Sequence, residues 1–512
     1  MRWLPPWVVE PVPEGVLRTL RGRSADRATA PPLVARLASK ARAKGTSAVS
    51  HPIQVAVLGG GVAGLAAGLA LQDAGVPFQL CEAGRRWGGV IRTDQERGFL
   101  LEAGPDSLLA AKPEAAALCR RLNLESRMVP TNPTCRRTYF LEGGRLHPLP
   151  DGMFLAVPTK IGPFLKSALF SWRGKLRMGL DVLRRPRPST EDESISVFLG
   201  RHFGREAVEK LGEPWLAGIH AGDPDHLSIQ ATFPRFVELE RRHGSLILGM
   251  WRAGRGQTGS RPSGAPFFSL LGGLEELTRA IVEAIPAGSR RLGTAARSLE
   301  RTNGAYRVAL EGGASLEAKS VILAMPASRS AEVLESSEPR TASTLRELRF
   351  ASSATVFLGY PRDHVRHPLD GYGLLVPRNA GVRTTACTFM STKLPGRAPE
   401  GKVLLRGFLG GARDGDVLSL ADDDLVSTVR SDMAPVLGLE GEPELARVYR
   451  WPDTTPQLGV GHAGWIEGIE RSLPAGLVLA GAGYRGVGIP DAIGDGQRAA
   501  QRAIAAIEGG GT

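Results

Sequence analysis

The segment VLGGGVAGLAA, Val57 to Ala67, constrains the fold most tightly, because Gly59, Gly61 and Gly64 stand as G-x-G-x-x-G between an apolar run and a helix of small residues. Ile53 to Leu58 reads as a strand, Ala63 to Ala74 as a helix closed by Gly75, and Phe78 to Cys81 as a second strand. That order is the β-turn-α-β opening of a doubly wound nucleotide fold. The first glycine permits the tight turn and the second lets the main chain approach a pyrophosphate. The third lets helix and strand pack closely, with the helix N-terminus facing the negative charge. Gly60, Val62 and Ala63 complete this main-chain cradle. Glu82, followed by Ala83, falls at the end of the second strand, 18 residues past Gly64, where a carboxylate can accept from both ribose hydroxyls.

NAD and FAD sites share that much, and a second cluster separates them. EAGRRWGGVIRT places Arg86, Gly88 and Gly89 in a loop that turns back toward the same pyrophosphate, as an extended flavin dinucleotide requires. The double cluster therefore favours FAD. Near the other terminus, LAGAGYRGVGIPDAI sets Gly481, Gly483, Gly486 and Gly488 between a strand and the last helix. The N–H groups of Val487, Gly488 and Ile489 are then aimed outward, where they would favour the negative pyrimidine edge of a reduced flavin.

Other features exclude more than they assign. At 512 residues with 42% hydrophobic content, two or three domains are expected. About half of the net charge of +12 sits in the first 50 residues, which read as a disordered extension, and no basic patch interleaved with aromatics appears. Nucleic acid is thus not an expected partner. Cys81, Cys119, Cys135 and Cys387 stand singly, without metal-ligand or disulfide spacing, so no metal is expected and a reducing, cytoplasmic setting fits. No Ser/His/Asp or paired-carboxylate constellation is evident, and the nine histidines show no pattern. Residues 112–218 read as mostly helical, with Ser189 or Thr190 capping one helix. Ala253 to Pro266 reads as a flexible loop, and ATVFLGY, YGLLVP and KVLLRGFLGG as strands of an antiparallel sheet. Residues 153–187 combine Phe164, Leu165, Leu169, Phe170, Trp172, Leu176, Leu180 and Leu183 with eight Lys/Arg and one acid, a basic amphipathic stretch suited to a bilayer interface or to a solvated helical cap.

Beyond these, GFLLEAGPDS, GIHAGDPDHLSIQATFP, ELERRHGSLILG, FFSLLGGLEELTRAI, DGYGLLVP and YRWPDTTPQLGVGH extend a match over residues 52–508. The chain resembles the FAD-dependent protoporphyrinogen oxidases, a branch of the monoamine oxidase and phytoene desaturase superfamily. The resemblance implies an α/β fold: a Rossmann-like FAD domain of the GR2 type, an α+β substrate domain on an antiparallel sheet, and a helical, membrane-binding subdomain. The expected division is a 1–50 extension, FAD-domain parts at 52–106, 266–330 and 471–508, a helical subdomain at 107–220, and substrate-domain parts at 221–265 and 331–470.

The implied activity is oxidation of protoporphyrinogen IX in heme biosynthesis, with hydride passing to the flavin and electrons to oxygen or a respiratory acceptor. Coproporphyrinogen III oxidation and a catalytically altered tetrapyrrole-binding flavoprotein are the alternatives. The chemistry is flavin-based, with no side chain expected to act as acid or base. Tyr372, Gly373 and Leu375 are expected to line the substrate cavity, Gly373 allowing the macrocycle close to the flavin, with Phe408 in the same wall; Gly104 and Trp451 are expected beside the flavin, and Ala296 at the adenine. Family members commonly carry an Arg where this chain has Thr138, which leaves Arg136 or Arg137 to meet a propionate. Asp106 stands where Asn or Arg is usual, an acid at the mouth of a pocket for a diacid. A membrane surface, a second copy of the chain and other heme-pathway enzymes are the candidate partners, with the protein peripheral on the inner membrane face.

Overall fold

The computed structural model describes residues 53–186, 191–256, 265–302, 304–412 and 414–509. The expected N-terminal extension, the Ser189 and Thr190 caps and most of the Ala253–Pro266 loop lie outside these residues. Two sheets organise the chain. Their strands, numbered in chain order, are β1 (Val55–Leu58), β2 (Phe78–Glu82), β3 (Arg137–Glu142), β4 (Arg145–Pro148), β5 (Arg290–Leu292), β6 (Ser320–Leu323), β7 (Phe350–Pro361), β8 (Gly371–Leu375), β9 (Ala386–Phe389), β10 (Lys402–Gly410), β11 (Leu445–Pro456) and β12 (Leu477–Leu479).

The first sheet is parallel, in the order β5-β2-β1-β6-β12, and so draws its strands from three separate stretches of the chain. β1 is buried throughout, which explains why it reads as an unbroken apolar run rather than an alternation. Val55 and Val57 pack under helices α1 (Val62–Asp73) and α8 (Ile489–Gly509), whereas Ala56 and Leu58 face a core shared with a three-stranded sheet over 296–318. α1 and α8 meet at a glycine: a Cβ on Gly496 would lie 2.1 Å from the Ala63 carbonyl oxygen, so only glycine allows this approach.

The second sheet runs β11-β7-β10-β9-β8-β3-β4. It is mixed rather than antiparallel throughout, because β8 and β3 pair in parallel. Its strands β3 and β4 also correct the expectation that 107–220 is helical, since residues 137–148 complete this sheet. Tyr139 and Leu141 face one core while Phe140 faces another, the period-2 alternation of a strand between two packed layers. One face carries α7 (Asp422–Leu437); the other meets a helical layer containing α2 (Trp172–Gly179), α3 (Ile195–Phe203), α4 (Glu213–His220), α5 (Pro234–His243) and α6 (Leu246–Gly256). Ser194 caps α3, its hydroxyl accepting from the Val197 N–H. α6 runs to Gly256, so the start of the expected loop is helical.

Within the helical layer a buried charge network ties segments distant in sequence. His202 reaches Asp181 through Nδ1 and Glu240 through Nε2, while Arg201 bonds both Glu193 and Glu240. Asp181 also accepts from the Ser245 hydroxyl and the Ile247 N–H.

Candidate functional site

Three glycines of the first turn have different reasons to be glycine. A Cβ on Gly59, whose φ is +115°, would sit 2.2 Å from the Ala324 carbonyl oxygen, and one on Gly64 would sit 1.9 Å from that of Gly59. These two are demanded by the protein's own packing. Gly61, the residue before α1, has nothing within 4 Å of an added Cβ. Its open side is the space a pyrophosphate would take in front of the α1 N-terminus.

The second cluster closes on the first. Gly88 donates its N–H to the Gly60 carbonyl at 2.8 Å, Gly61 and Gly88 form an isolated bridge, and a Cβ on Gly89 would approach the Gly61 Cα to 3.2 Å. Arg86 holds this loop, donating to the carbonyls of Ile91 (2.9 Å), Trp87 and Gly89. Burial pulls its pKa below the usual arginine value. Glu82 stands at the rim with Ala83 exposed beside it, its carboxylate accepting from the N–H groups of Gly60 (2.5 Å) and Gly84 (2.6 Å). The Glu82 carbonyl accepts from the Thr294 N–H at 2.7 Å, which brings Ala296 to the same edge.

Gly104 extends the cradle along the chain. A Cβ there would strike the Val90 carbonyl at 1.8 Å and lie 3.7 Å from the Trp451 ring. The preceding carbonyl, that of Ala103, accepts from Trp451 Nε1 (2.9 Å), Arg406 Nη2 (3.1 Å) and Thr355 Oγ1 (3.4 Å), which pins this corner to the second sheet. At the C-terminal turn Gly481 donates to Asp495 at 2.9 Å. Here the structure departs from open N–H groups: Gly488 donates to Asp491 Oδ2 at 3.2 Å, and Asp491 is itself paired with Lys112. Val487 and Ile489 flank that capped amide. The donor set and the open space at Gly61 fit a flavin dinucleotide, with Glu82 able to turn to a ribose and the Gly59–Gly64 and Gly88–Gly89 main chain to a pyrophosphate.

Of the residues expected at the substrate, Gly373, Leu375 and Phe408 share one face of the second sheet. Phe140, Leu375, Ala386 and Phe408 are aligned across β3, β8, β9 and β10, and the next row is Thr138, Gly373, Thr388 and Arg406. α4 lies over the first row, with a Cβ on Gly218 falling 2.7 Å from Leu375 Cδ2. Tyr372 sits at the bulge and donates to Thr131 Oγ1 and the Asn132 carbonyl, both at 3.0 Å.

Gly373 has a reason the sequence does not suggest. At φ +151° its Cβ would lie 2.3 Å from the Cys387 carbonyl, so its own neighbouring strand demands the glycine. Arg137 turns to the opposite face, with Tyr139, and both engage Asp370; Arg136 is exposed ahead of the strand. Neither arginine shares the row of Thr138 and Gly373.

Asp106 is no unmatched acid. Lys393 Nζ lies 2.7 Å from its Oδ1 and Arg406 Nη1 3.9 Å from its Oδ2. Burial works to raise the carboxyl, but these two cations outweigh it and hold it at about 2. Arg406 packs its guanidinium over the rings of Phe408 (4.6 Å) and Phe357 (5.4 Å). Behind them Glu102 meets Arg397 at 3.3 Å, both fully buried, with burial pushing Glu102 up to about 7. Lys393, Arg406 and the Glu102–Arg397 pair are not among the residues expected from the sequence. Only Arg406 has a sequence signal, a cation inside an otherwise apolar strand in KVLLRGFLGG.

The model of the family described as flavin containing amine oxidoreductase matches residues 62–504. The coproporphyrinogen III oxidase of Bacillus subtilis (strain 168) is 37% identical over 88% of this chain and 97% of its own length. The chloroplastic protoporphyrinogen oxidase 1 of Arabidopsis thaliana is 31% identical over 85% of this chain and 84% of its own. A crystal structure from Exiguobacterium sp. 255-15, named for protoporphyrinogen oxidase, superposes with a TM-score of 0.79 at 31% identity, covering 89% of this chain and 99% of that one.

Proposed function

We propose, on the premise that this chain belongs to the family of flavin-containing amine oxidoreductases with FAD as its cofactor, that it oxidises coproporphyrinogen III to coproporphyrin III in heme biosynthesis. The observation that carries the choice of substrate is the likeness along nearly the whole chain to a coproporphyrinogen III oxidase, greater than that to the plant protoporphyrinogen oxidase. Protoporphyrinogen IX, the substrate first expected from the family resemblance, becomes the second reading, supported by the Exiguobacterium structure.

Bound FAD supplies the two-electron acceptor for hydride leaving a meso carbon, and the six-electron conversion takes three such rounds. The protein's own part is positioning. Phe408, half-buried at the end of the row whose Phe140 and Leu375 are packed under the helical layer, offers apolar surface to the macrocycle, and the Ala103 carbonyl with its three donors fixes the adjoining Gly104 corner. No acid or base is assigned, since pyrrole tautomerisation renews the reactive carbon. Oxygen is the proposed acceptor. The test is anaerobic mixing with each porphyrinogen while flavin bleaching is followed. Coproporphyrinogen III is expected to reduce the flavin with at least about tenfold higher kcat/KM; a preference for protoporphyrinogen IX would sink this assignment.

A peripheral membrane site is proposed on the helical layer. Among the described residues no helix is long and apolar enough to cross a membrane. Phe164, Leu169 and Phe170, expected in the amphipathic stretch, are instead core residues. Trp172 (71% exposed), Leu176 (71%), Leu183 (75%), Leu165, Leu180 and Ile161 remain outside, interspersed with exposed Lys160, Lys166, Arg173 and Arg185. Apolar side chains among cations suit an anionic bilayer surface. Replacing Trp172, Leu176 and Leu183 together with Glu is expected to weaken co-sedimentation with anionic vesicles by at least about tenfold. Unchanged sedimentation would refute this surface.

A further inference from the structure

We infer that Lys393 determines substrate specificity by binding a carboxylate side chain that the four-carboxylate porphyrinogen carries and the two-carboxylate one lacks, Arg406 keeping Asp106 as the counter-ion that Lys393 leaves. This rests on the porphyrinogen reading above.

The charges of this corner are uneven. Glu102 and Arg397 match one to one, but Asp106 alone faces two cations, Lys393 and Arg406. A buried cation without its own counter-ion is costly, and a second anion arriving at the site would relieve that cost. The three groups are also held unequally. Arg406 is 4% exposed, fixed by the Ala103 carbonyl and two aromatic rings, and its Nε has no hydrogen-bond partner. Asp106 is anchored at both ends, its carboxylate accepting from Ser107 and its carbonyl from Ser269. Lys393 Nζ has Asp106 as its hydrogen-bonding partner, with the Phe267 ring 6.0 Å away, and its side chain keeps 14% exposure. A lysine on a four-carbon stem is the member able to swing to an arriving anion.

The position suits that anion. Asp106 follows two residues after Gly104, in the corner that meets Trp451. Lys393 is joined to Tyr372 through Asn132, whose N–H donates to the Lys393 carbonyl at 2.9 Å and whose own carbonyl accepts from the Tyr372 hydroxyl. Arg406 shares its row with Gly373. Where coproporphyrinogen III has four propionates, protoporphyrinogen IX has two and a pair of vinyl groups. A vinyl placed here would leave the ammonium as it stands against Asp106, and a propionate would complete the set.

The test compares holoenzyme carrying Lys393→Gln, Lys393→Arg and Asp106→Asn with wild type, using quenching of porphyrin fluorescence by coproporphyrin III and protoporphyrin IX, alongside KM and kcat. In Lys393→Gln the ratio of the two dissociation constants is expected to shift by about tenfold against coproporphyrin III, with the loss in turnover falling on KM rather than kcat. Lys393→Arg is expected to restore most of the ratio, and Asp106→Asn, which removes the competing carboxylate, to shift it the other way. Retained flavin absorbance and melting temperature establish that each variant is folded. Equal weakening of both porphyrins in Lys393→Gln, or no change in either, would overturn the inference. Wild-type holoenzyme that binds neither porphyrin would instead overturn the porphyrinogen reading itself.

Discussion

A Gly61→Val variant is expected to fold, to purify without the yellow of bound flavin, and to bind FAD at least about a hundredfold more weakly than wild type. A Cβ at Gly61 meets no protein atom within 4 Å and the backbone there has φ −69°, which valine adopts without strain. Its methyl groups would occupy the space before the α1 N-terminus that the pyrophosphate needs. Gly64 provides the contrast: a Cβ there lies 1.9 Å from the Gly59 carbonyl, so Gly64→Val loses flavin because the turn cannot form. Visible flavin absorbance per polypeptide, read with the melting temperature, separates the two. A yellow Gly61→Val protein with wild-type affinity would mean that the dinucleotide lies elsewhere.

The second large effect is on stability. Arg201→Met is expected to cost about 3–5 kcal/mol, because it strands Glu240 and Glu193 at or near the core with their main counter-charge gone. Its pH signature follows from Glu240. Burial pushes that carboxyl upward, but the hydrogen bonds from Arg201 and His202 prevail and hold it at about 2, below the 4.5 of a free glutamate. A depressed folded pKa stabilises the protein above the unfolded value, and that contribution disappears as pH falls from 4.5 toward 2. Wild type should therefore lose stability across that window. Arg201→Met should start lower and lose less, since burial opposed by His202 alone favours the carboxylate less. Urea unfolding at pH 7 and near pH 4 measures both. Parallel pH dependences in the two proteins would refute the role assigned to the Arg201–Glu240 contact.

Much of the cofactor cradle is legible in the amino-acid sequence because its physics is local. A Cβ on Gly64 would strike the Gly59 carbonyl five positions earlier, Glu82 reaches the amides of Gly60 and Gly84 on adjoining turns, and β1 announces burial on both faces by having no polar residue. The return of Gly88 to Gly60 is readable from two glycine clusters flanking a single acid.

What stays hidden in the sequence depends on register and packing between distant segments. Lys393 finds Asp106 across 287 positions, and Arg406 shares a row with Thr138 only because four strands align as they do, one of them in parallel. Arg137 is available to a substrate by its sequence position alone, but β3 turns it to the face of Tyr139 and Asp370. Phe164, Leu169 and Phe170 have the character of membrane anchors, yet the helical layer encloses them. Glycine spacing thus determined by itself where the main chain opens toward a dinucleotide, since backbone sterics act between near neighbours in sequence. Which charged side chains meet beside that opening was decided only in three dimensions, because an ion pair is chosen by whichever elements the sheet order brings into contact.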